Sequence, residues 1–154
     1  MSHRALVLTL VVAACGDKQS VRDYYVDASE ATCARAFECR DSYPGGAETF
    51  AQVYGDSEAT CVDRLVMVAD GLGIIEDTQA SVDAGRVSFE TDDGDGCVTM
   101  IGQVTCDALW SGMHECDPFV GHVALGDACT IHDDCADAMA ICDEVTLVCA
   151  LPPA

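Results

Sequence analysis

The sequence predicts a mostly α, disulfide-stapled domain over residues 21–115, followed at 116–150 by a small cysteine-rich module that contains a β-hairpin. Three observations carry this expectation. Apolar residues recur at helical spacing through the first region, as with Val62, Leu65, Val66 and Ala69 at i, i+3, i+4 and i+7. The chain holds 11 cysteines, and no two of them stand in a Cys-x-x-Cys pair, which removes the commonest zinc and redox spacings. Helical periodicity stops after Cys116-Asp117-Pro118, and Cys129, Cys135, Cys142 and Cys149 then follow at short, regular gaps. A segment of roughly thirty residues cannot bury enough apolar surface to fold without staples.

Residues 1–14 read as an export signal. Arg4 opens the stretch, and Ala5 to Ala14 is apolar apart from Thr9. The run is too short to cross a bilayer as a helix, which needs about 20 residues. A buried first helix would show a polar face, and this run has none. A basic flank, a short apolar core and small residues before a cut are the parts of a secretory signal. Gly16 to Ser20 then forms a polar tether.

From Val21 the pattern turns helical and runs to about Asp41. Asp27 and Glu30 have the spacing of a capping box, so a helix begins or restarts there. Val26, Cys33 and Phe37 share one stripe, and Cys39 lies about 120° away from Cys33, which sends the two sulfurs to different elements. Tyr43-Pro44-Gly45-Gly46 breaks the chain. A second helix is expected from Ser57 to Ala69, capped by Asp56 or Ser57 and stopped at Asp70-Gly71. A third runs from about Asp77 to Ala84 and ends at Gly85. Arg86 to Glu90 alternates and is expected to be extended. Thr91 or Asp93 caps a further helix reaching Leu109, with Cys97, Ile101, Val104 and Ala108 on one stripe, and Ser111-Gly112 closes it. Trp110, Met113 and Phe119 are expected to pack together. Beyond Pro118, Phe119 to Val123 and Val145 to Val148 are the candidate strands, and 151–154 is a tail.

Charge narrows the partners. The chain carries 27 acidic residues against seven Lys and Arg, a formal charge of −20. Such a surface repels nucleic acid, which is bound through Lys and Arg contacts to phosphate. It contains no asparagine, hence no N-glycosylation sequon.

Several stretches carry resemblances. Val12-Ala13-Ala14-Cys15 resembles the lipobox of bacterial lipoproteins. That resemblance implies cleavage after Ala14, lipidation of Cys15 and a stable anchor on 15–20, because several acyl chains exceed the single chain that binds only marginally. Gly16, rather than Asp, follows the cysteine, which implies the outer membrane or cell surface, on its periplasmic or extracellular side. The leader, Ala84-Gly85-Arg86-Val87, the Cys97 and Cys106 pair, and Phe119-Val120-Gly121-His122-Val123 leading to Gly126-Asp127-Ala128-Cys129 are together similar to predicted cysteine-rich lipoproteins of myxobacteria and their relatives. The tail cysteines also resemble the module of Dickkopf N-terminal domains, although Ala136-Asp137-Ala138 stands where that module carries a glycine. The lipoprotein likeness implies an exported, disulfide-stapled, mostly helical protein and brings no activity with it.

With Cys15 set aside as the lipid site, Cys33, Cys39, Cys61, Cys97, Cys106, Cys116, Cys129, Cys135, Cys142 and Cys149 form an even set, expected to be oxidised after export. We expect Cys39 with Cys61, and Cys129 with Cys142 crossed by Cys135 with Cys149, leaving Cys33, Cys97, Cys106 and Cys116 to share two bonds.

Candidate chemistry is sparse. His114-Glu115-Cys116 and His132-Asp133-Asp134-Cys135 would suit a thiol nucleophile beside a base, but an oxidised sulfur cannot attack. Asp92, Asp93 and Asp95 fail the EF-hand spacing and read as acidic residues at a helix start. Ser57, Ser81, Ser88 and Ser111 lack the Gly-x-Ser-x-Gly context. No catalytic, cofactor or metal site is therefore expected. The favoured function is a non-enzymatic, lipid-anchored envelope or surface protein that binds a protein or polysaccharide. A protease-inhibitor-like module at Cys116 to Cys149 is the alternative. A hydrolase that gathers His114, His122 or His132 with an acid is the third class.

Overall fold

The computed structural model describes residues 19–112 and 116–152. The leader with Cys15, and Met113, His114 and Glu115, lie outside the described residues. The fold is mostly helical, with two short antiparallel ribbons and five disulfides.

Helix α1 (Val21–Glu38) is the strut on which the helical region is built. Ser20 starts it through a capping box: the Asp23 N–H donates to Ser20 Oγ and the Ser20 N–H donates to Asp23 Oδ2, both at 3.1 Å. The expected start or restart at Asp27 is therefore corrected. Asp27 lies inside the helix, and its Oδ2 accepts from Gln19 Nε2 at 2.6 Å. Two helices, α3 (Glu58–Gly71) and α5 (Thr91–Gln103), pack along α1. The Arg22–Asp70 ion pair at 2.5 Å and the Cys33–Cys61 disulfide tie α1 to α3 and set them antiparallel.

The Cys39–Cys61 pairing expected from sequence is corrected by that bond. Cys33 takes Cys61, and Cys39 takes Cys106. The reason is helix α2 (Gly46–Tyr54), which the sequence reading did not anticipate. It buries Phe50 against Phe37 and Tyr43 at the Cys39 end of α1. With α2 filling that end, α3 meets α1 six residues lower, at Cys33, about 1.7 turns.

Gly73, with φ +74°, turns the chain from α3 into α4 (Ile74–Asp83), which starts three residues before the expected Asp77. Helix α4 closes on a Schellman motif: Gly85, with φ +70°, donates to Val82 O and Arg86 N–H donates to Ser81 O, each at 3.0 Å. Strand β1 (Val87–Phe89) follows directly, inside the stretch expected to be extended. The continuous helix expected to Leu109 is two helices, α5 and α6 (Cys106–Ser111). They break at Val104 because Arg35 Nε donates to Val104 O at 2.7 Å, and Thr105 restarts the chain by accepting from Ala108 N–H at 3.2 Å. Gly112 ends α6 in the left-handed conformation.

Strand β2 (Phe119–Gly121) pairs antiparallel with β1, Val87 opposite Gly121 and Phe89 opposite Phe119. Beyond it the chain is held by cystines. Strands β3 (Ile141–Cys142) and β4 (Cys149–Ala150) form the small hairpin, closed by Cys129–Cys142 and Cys135–Cys149 as expected. The fifth bond joins Cys97 to Cys116. Val145 to Val148, expected as a strand, instead includes the hairpin turn. Asp143 Oδ1 accepts from the Val145 N–H, the Thr146 N–H and the Thr146 hydroxyl at 2.7–3.1 Å, a side-chain network that bends the backbone.

Two aromatic cores serve the helical region. Phe37, Tyr43, Phe50, Tyr54 and Trp110 meet edge-to-face or stacked at one end. Tyr24, Tyr25, Phe89 and Phe119 meet where α1 faces the first ribbon. Trp110 and Phe119, expected to pack together, thus belong to different clusters, because pairing with β1 sets Phe119 against Tyr24 and Tyr25, at the other end of α1. Trp110 Nε1 donates to Ser42 Oγ at 3.0 Å.

Candidate functional site

The most highly organised polar group lies where the helical region meets the cysteine-rich module. Asp134 is 0% exposed, in a 3-10 turn at His132–Asp134. Its Oδ2 accepts from Thr130 N–H (2.7 Å), Thr130 Oγ1 (3.0 Å), Ile131 N–H (3.3 Å) and Arg86 Nε (3.0 Å). The other oxygen, Oδ1, is buried and has no hydrogen-bond partner among the described residues. Arg86 reaches Asp134 because the Schellman turn at Gly85 places it at the head of β1. Its second guanidinium nitrogen donates to Ser81 Oγ (3.0 Å) and Thr130 Oγ1 (2.9 Å). Burial would raise the Asp134 carboxyl, but the Thr130 amide, the nearby Ser81 hydroxyl, the Ile131 amide and the Thr130 hydroxyl outweigh it. The net effect holds the acid below its usual range.

Gly121 makes the same seam close. A Cβ there would lie 2.5 Å from Asp133 O and 2.7 Å from Asp134 O, with Cys135 O nearer still. Val123 N–H donates to Asp134 O and Ala136 N–H to Val123 O, so backbone passes against backbone along this line. An isolated glycine inside the strand-like Phe119 to Val123 was the sequence signal for such an approach.

The pinned Thr130–Ile131 segment forms one wall of a groove of about 390 Å³. Leu72 and Ile74, at the α3–α4 turn, form the facing wall, and Leu147 of the hairpin turn closes one side. Leu72 is 70% exposed and Leu147 is 54% exposed. Asp77, Asp133 and Glu144 supply the charge, and His132 the imidazole. Partial desolvation, with the Asp117 carboxylate nearby, pushes Asp133 above the usual carboxylate range. His132 is fixed through Nδ1, which accepts from Cys142 N–H at 3.2 Å. Leu147 has φ +52°, the one non-glycine residue with positive φ among the described residues. Its N–H donates to Asp143 O and its carbonyl accepts from Cys129 N–H, which holds that backbone in place.

A second cavity, of about 430 Å³, lies against the Phe37 and Phe50 rings beside Arg40, Asp41 and Asp56. Its apolar floor is already committed to the aromatic cluster. A third, of about 380 Å³, runs beside β2 past Asp117, Asp133 and Asp137. Among the described residues, one set of three possible metal ligands converges, Cys129, Cys135 and Cys149, and all three sulfurs are in disulfides. Asp92 and Asp93 stand in the first turn of α5, beside the helix dipole, as their reading from sequence required.

The histidines and cysteines that suggested chemistry are placed as follows. Cys116 bonds Cys97 and Cys135 bonds Cys149, so neither offers a thiolate. His122 Nε2 lies 3.1 Å from Ser88 Oγ across the first ribbon, an exposed pair. Among the described residues no carboxylate hydrogen-bonds that imidazole, and none of the three cavities contains it. His132 and His122 face different surroundings, and His114 lies outside the described residues.

No protein-family model, curated protein or solved structure matches this chain.

Proposed function

We propose that the protein is a lipid-anchored component of the cell envelope or cell surface that binds another macromolecule through a disulfide-rigidified acidic face, without catalysing a reaction on it. One observation carries the binding reading: the groove between the α3–α4 turn and the cysteine-rich module holds exposed leucines within an acidic setting, on walls fixed by two disulfides and a buried ion pair. Walls that cannot relax keep apolar side chains in water and keep the ordering cost of binding low. Five disulfides suit an oxidising compartment, and no described helix is long and apolar enough to cross a membrane. Anchoring rests on Cys15, the first of the 11 cysteines, which follows the leader. Intact mass and fractionation of the processed protein test it. Diacylglyceryl and acyl mass on a chain beginning at Cys15, lost in Cys15→Ser, is the expected result. Soluble, unlipidated wild-type protein would overturn it.

A protease-inhibitor-like role has one observation in its favour. Val145 is 91% exposed at the tip of a turn framed by Cys129–Cys142 and Cys135–Cys149. Against it, the Asp143 network folds Glu144 to Thr146 into a turn, whereas a protease cleft takes its peptide extended. Inhibition assays against a protease panel separate the two readings, and tight inhibition lost in Val145→Gly would favour this one.

A further inference from the structure

We propose that the groove bounded by Leu72, Ile74, Ile131 and Leu147 docks a basic amphipathic segment of a partner protein, an inference that rests on the binding reading above. Charge complementarity selects the occupant. Asp77, Asp133 and Glu144 line the groove, and among the described residues no Lys or Arg does. The nearby Arg86 is already committed to Asp134, Ser81 and Thr130. A segment with Lys or Arg on one face and Leu, Ile or Met on the other meets both halves of that lining, the mode in which an amphipathic helix lays apolar anchors into a groove. The volume falls in the lower part of the ligand-site range, about 300–1,000 Å³, enough for anchoring side chains rather than a whole domain.

The apolar half of the groove is costly to keep empty. Leu147 is 54% exposed on a backbone held at φ +52°, so its side chain stays largely in water. Leu72 stands in water beside the αL turn at Gly73. Burying both under a partner recovers apolar surface that the isolated chain leaves exposed. Among the described residues no Phe, Tyr or Trp lines the groove. A polysaccharide, which binds by stacking its sugar faces on rings, is therefore the poorer fit.

The test uses the whole processed protein and a synthetic Lys/Leu helix of about five turns, with its leucines on one face. Binding is read by fluorescence anisotropy. Leu72→Ser with Leu147→Asn removes the apolar walls at exposed positions, and asparagine tolerates the left-handed backbone. Asp77→Asn with Glu144→Gln removes charge from the rim. Each pair is expected to weaken binding by about tenfold, with unchanged circular dichroism. A charge-matched control, Glu48→Gln with Asp63→Asn, lies on α2 and α3 away from the groove and is expected to change binding little. A peptide of the same composition with its leucines scattered is expected to bind about tenfold more weakly. Equal losses in the control and the rim variants would overturn the proposal, because the peptide would then be reading net charge alone. So would wild-type binding untouched by the Leu72/Leu147 pair, no wild-type binding at all, or displacement of the peptide by a neutral oligosaccharide. Loss of lipid at Cys15 would sink the anchoring proposal and leave this measurement standing.

Discussion

The helical region and the cysteine-rich module are both stapled, but the staples do different work. In the helical region, Cys33–Cys61 and Cys39–Cys106 join helices that already bury rings against one another, Phe50 against Phe37, Tyr43 and Trp110. In the module, the buried cluster is Cys129, Cys135, Ala140, Cys142 and Cys149, with Val123 beside it. There the cystines are the core. A segment with so few apolar side chains has little to hold it once its sulfurs part. The comparison assigns covalent and polar cohesion to one end of the molecule and apolar cohesion to the other.

The hardest test is removal of one module disulfide. Closing a loop of 14 residues, as Cys135–Cys149 does, contributes about 3 kcal/mol in the loop-entropy model. Cys135→Ser with Cys149→Ser should therefore unfold 122–150, seen as lost amide protection there, while far-UV circular dichroism keeps its helical signal. Simultaneous collapse of both regions would erase the distinction.

Next comes the seam. Arg86→Ala leaves the buried Asp134 carboxylate without its counter-charge, on the Thr130 and Ile131 donors alone, at a cost of about 3 kcal/mol by chemical denaturation. The Asp134 carboxylate, held by the donors around it, also has a pH signature. Folding depresses the Asp134 pKa, so its stabilisation is complete above the ordinary value of 3.8 and is lost as pH falls through the lower folded value. Acid titration of wild type should release the seam below that ordinary value, and Asp134→Asn should remove this step. A release centred near neutral pH would refute the assignment.

Gly121→Ala follows. The added methyl would meet three carbonyl oxygens of the module's backbone, and separating the ribbon from the module should cost about 2 kcal/mol. Because only the seam moves, Trp110 fluorescence should stay as in wild type. The smallest effect is expected from Trp110→Phe. It keeps a ring against Tyr43 and Phe50 but loses the hydrogen bond to Ser42, about 1 kcal/mol in thermal unfolding. A larger loss would show that this hydrogen bond, rather than ring packing, organises that end.

Features that depend on neighbours in the chain could be read from the residues alone. Helix α3 begins after Ser57, α6 ends at Ser111-Gly112, Val87 to Phe89 is extended, and the tail cysteines cross as expected. Helix α2 could not be read, because Pro44-Gly45-Gly46 marks a break before it and its single buried ring, Phe50, sets up no periodic stripe. Missing α2 displaced the Cys61 assignment, since pairing depends on where two helices meet. The groove was equally hidden: Leu72, Ile131 and Leu147 are scattered along the chain, and Leu147 fell inside an expected strand.

By itself, therefore, the sequence determined the cysteine inventory with Cys15 as its odd member, the acidic balance, the change of texture after Pro118, and the local caps and turns. Each of these follows from composition or from side chains within a few residues of the backbone they serve. Only the tertiary structure decided that Cys33 rather than Cys39 meets Cys61, that Arg86 enters the module to hold Asp134, and that two exposed leucines line one acidic groove. Those outcomes depend on how much room each element leaves for the next. That is a property of the packed chain, since burial and close approach act between residues distant in sequence.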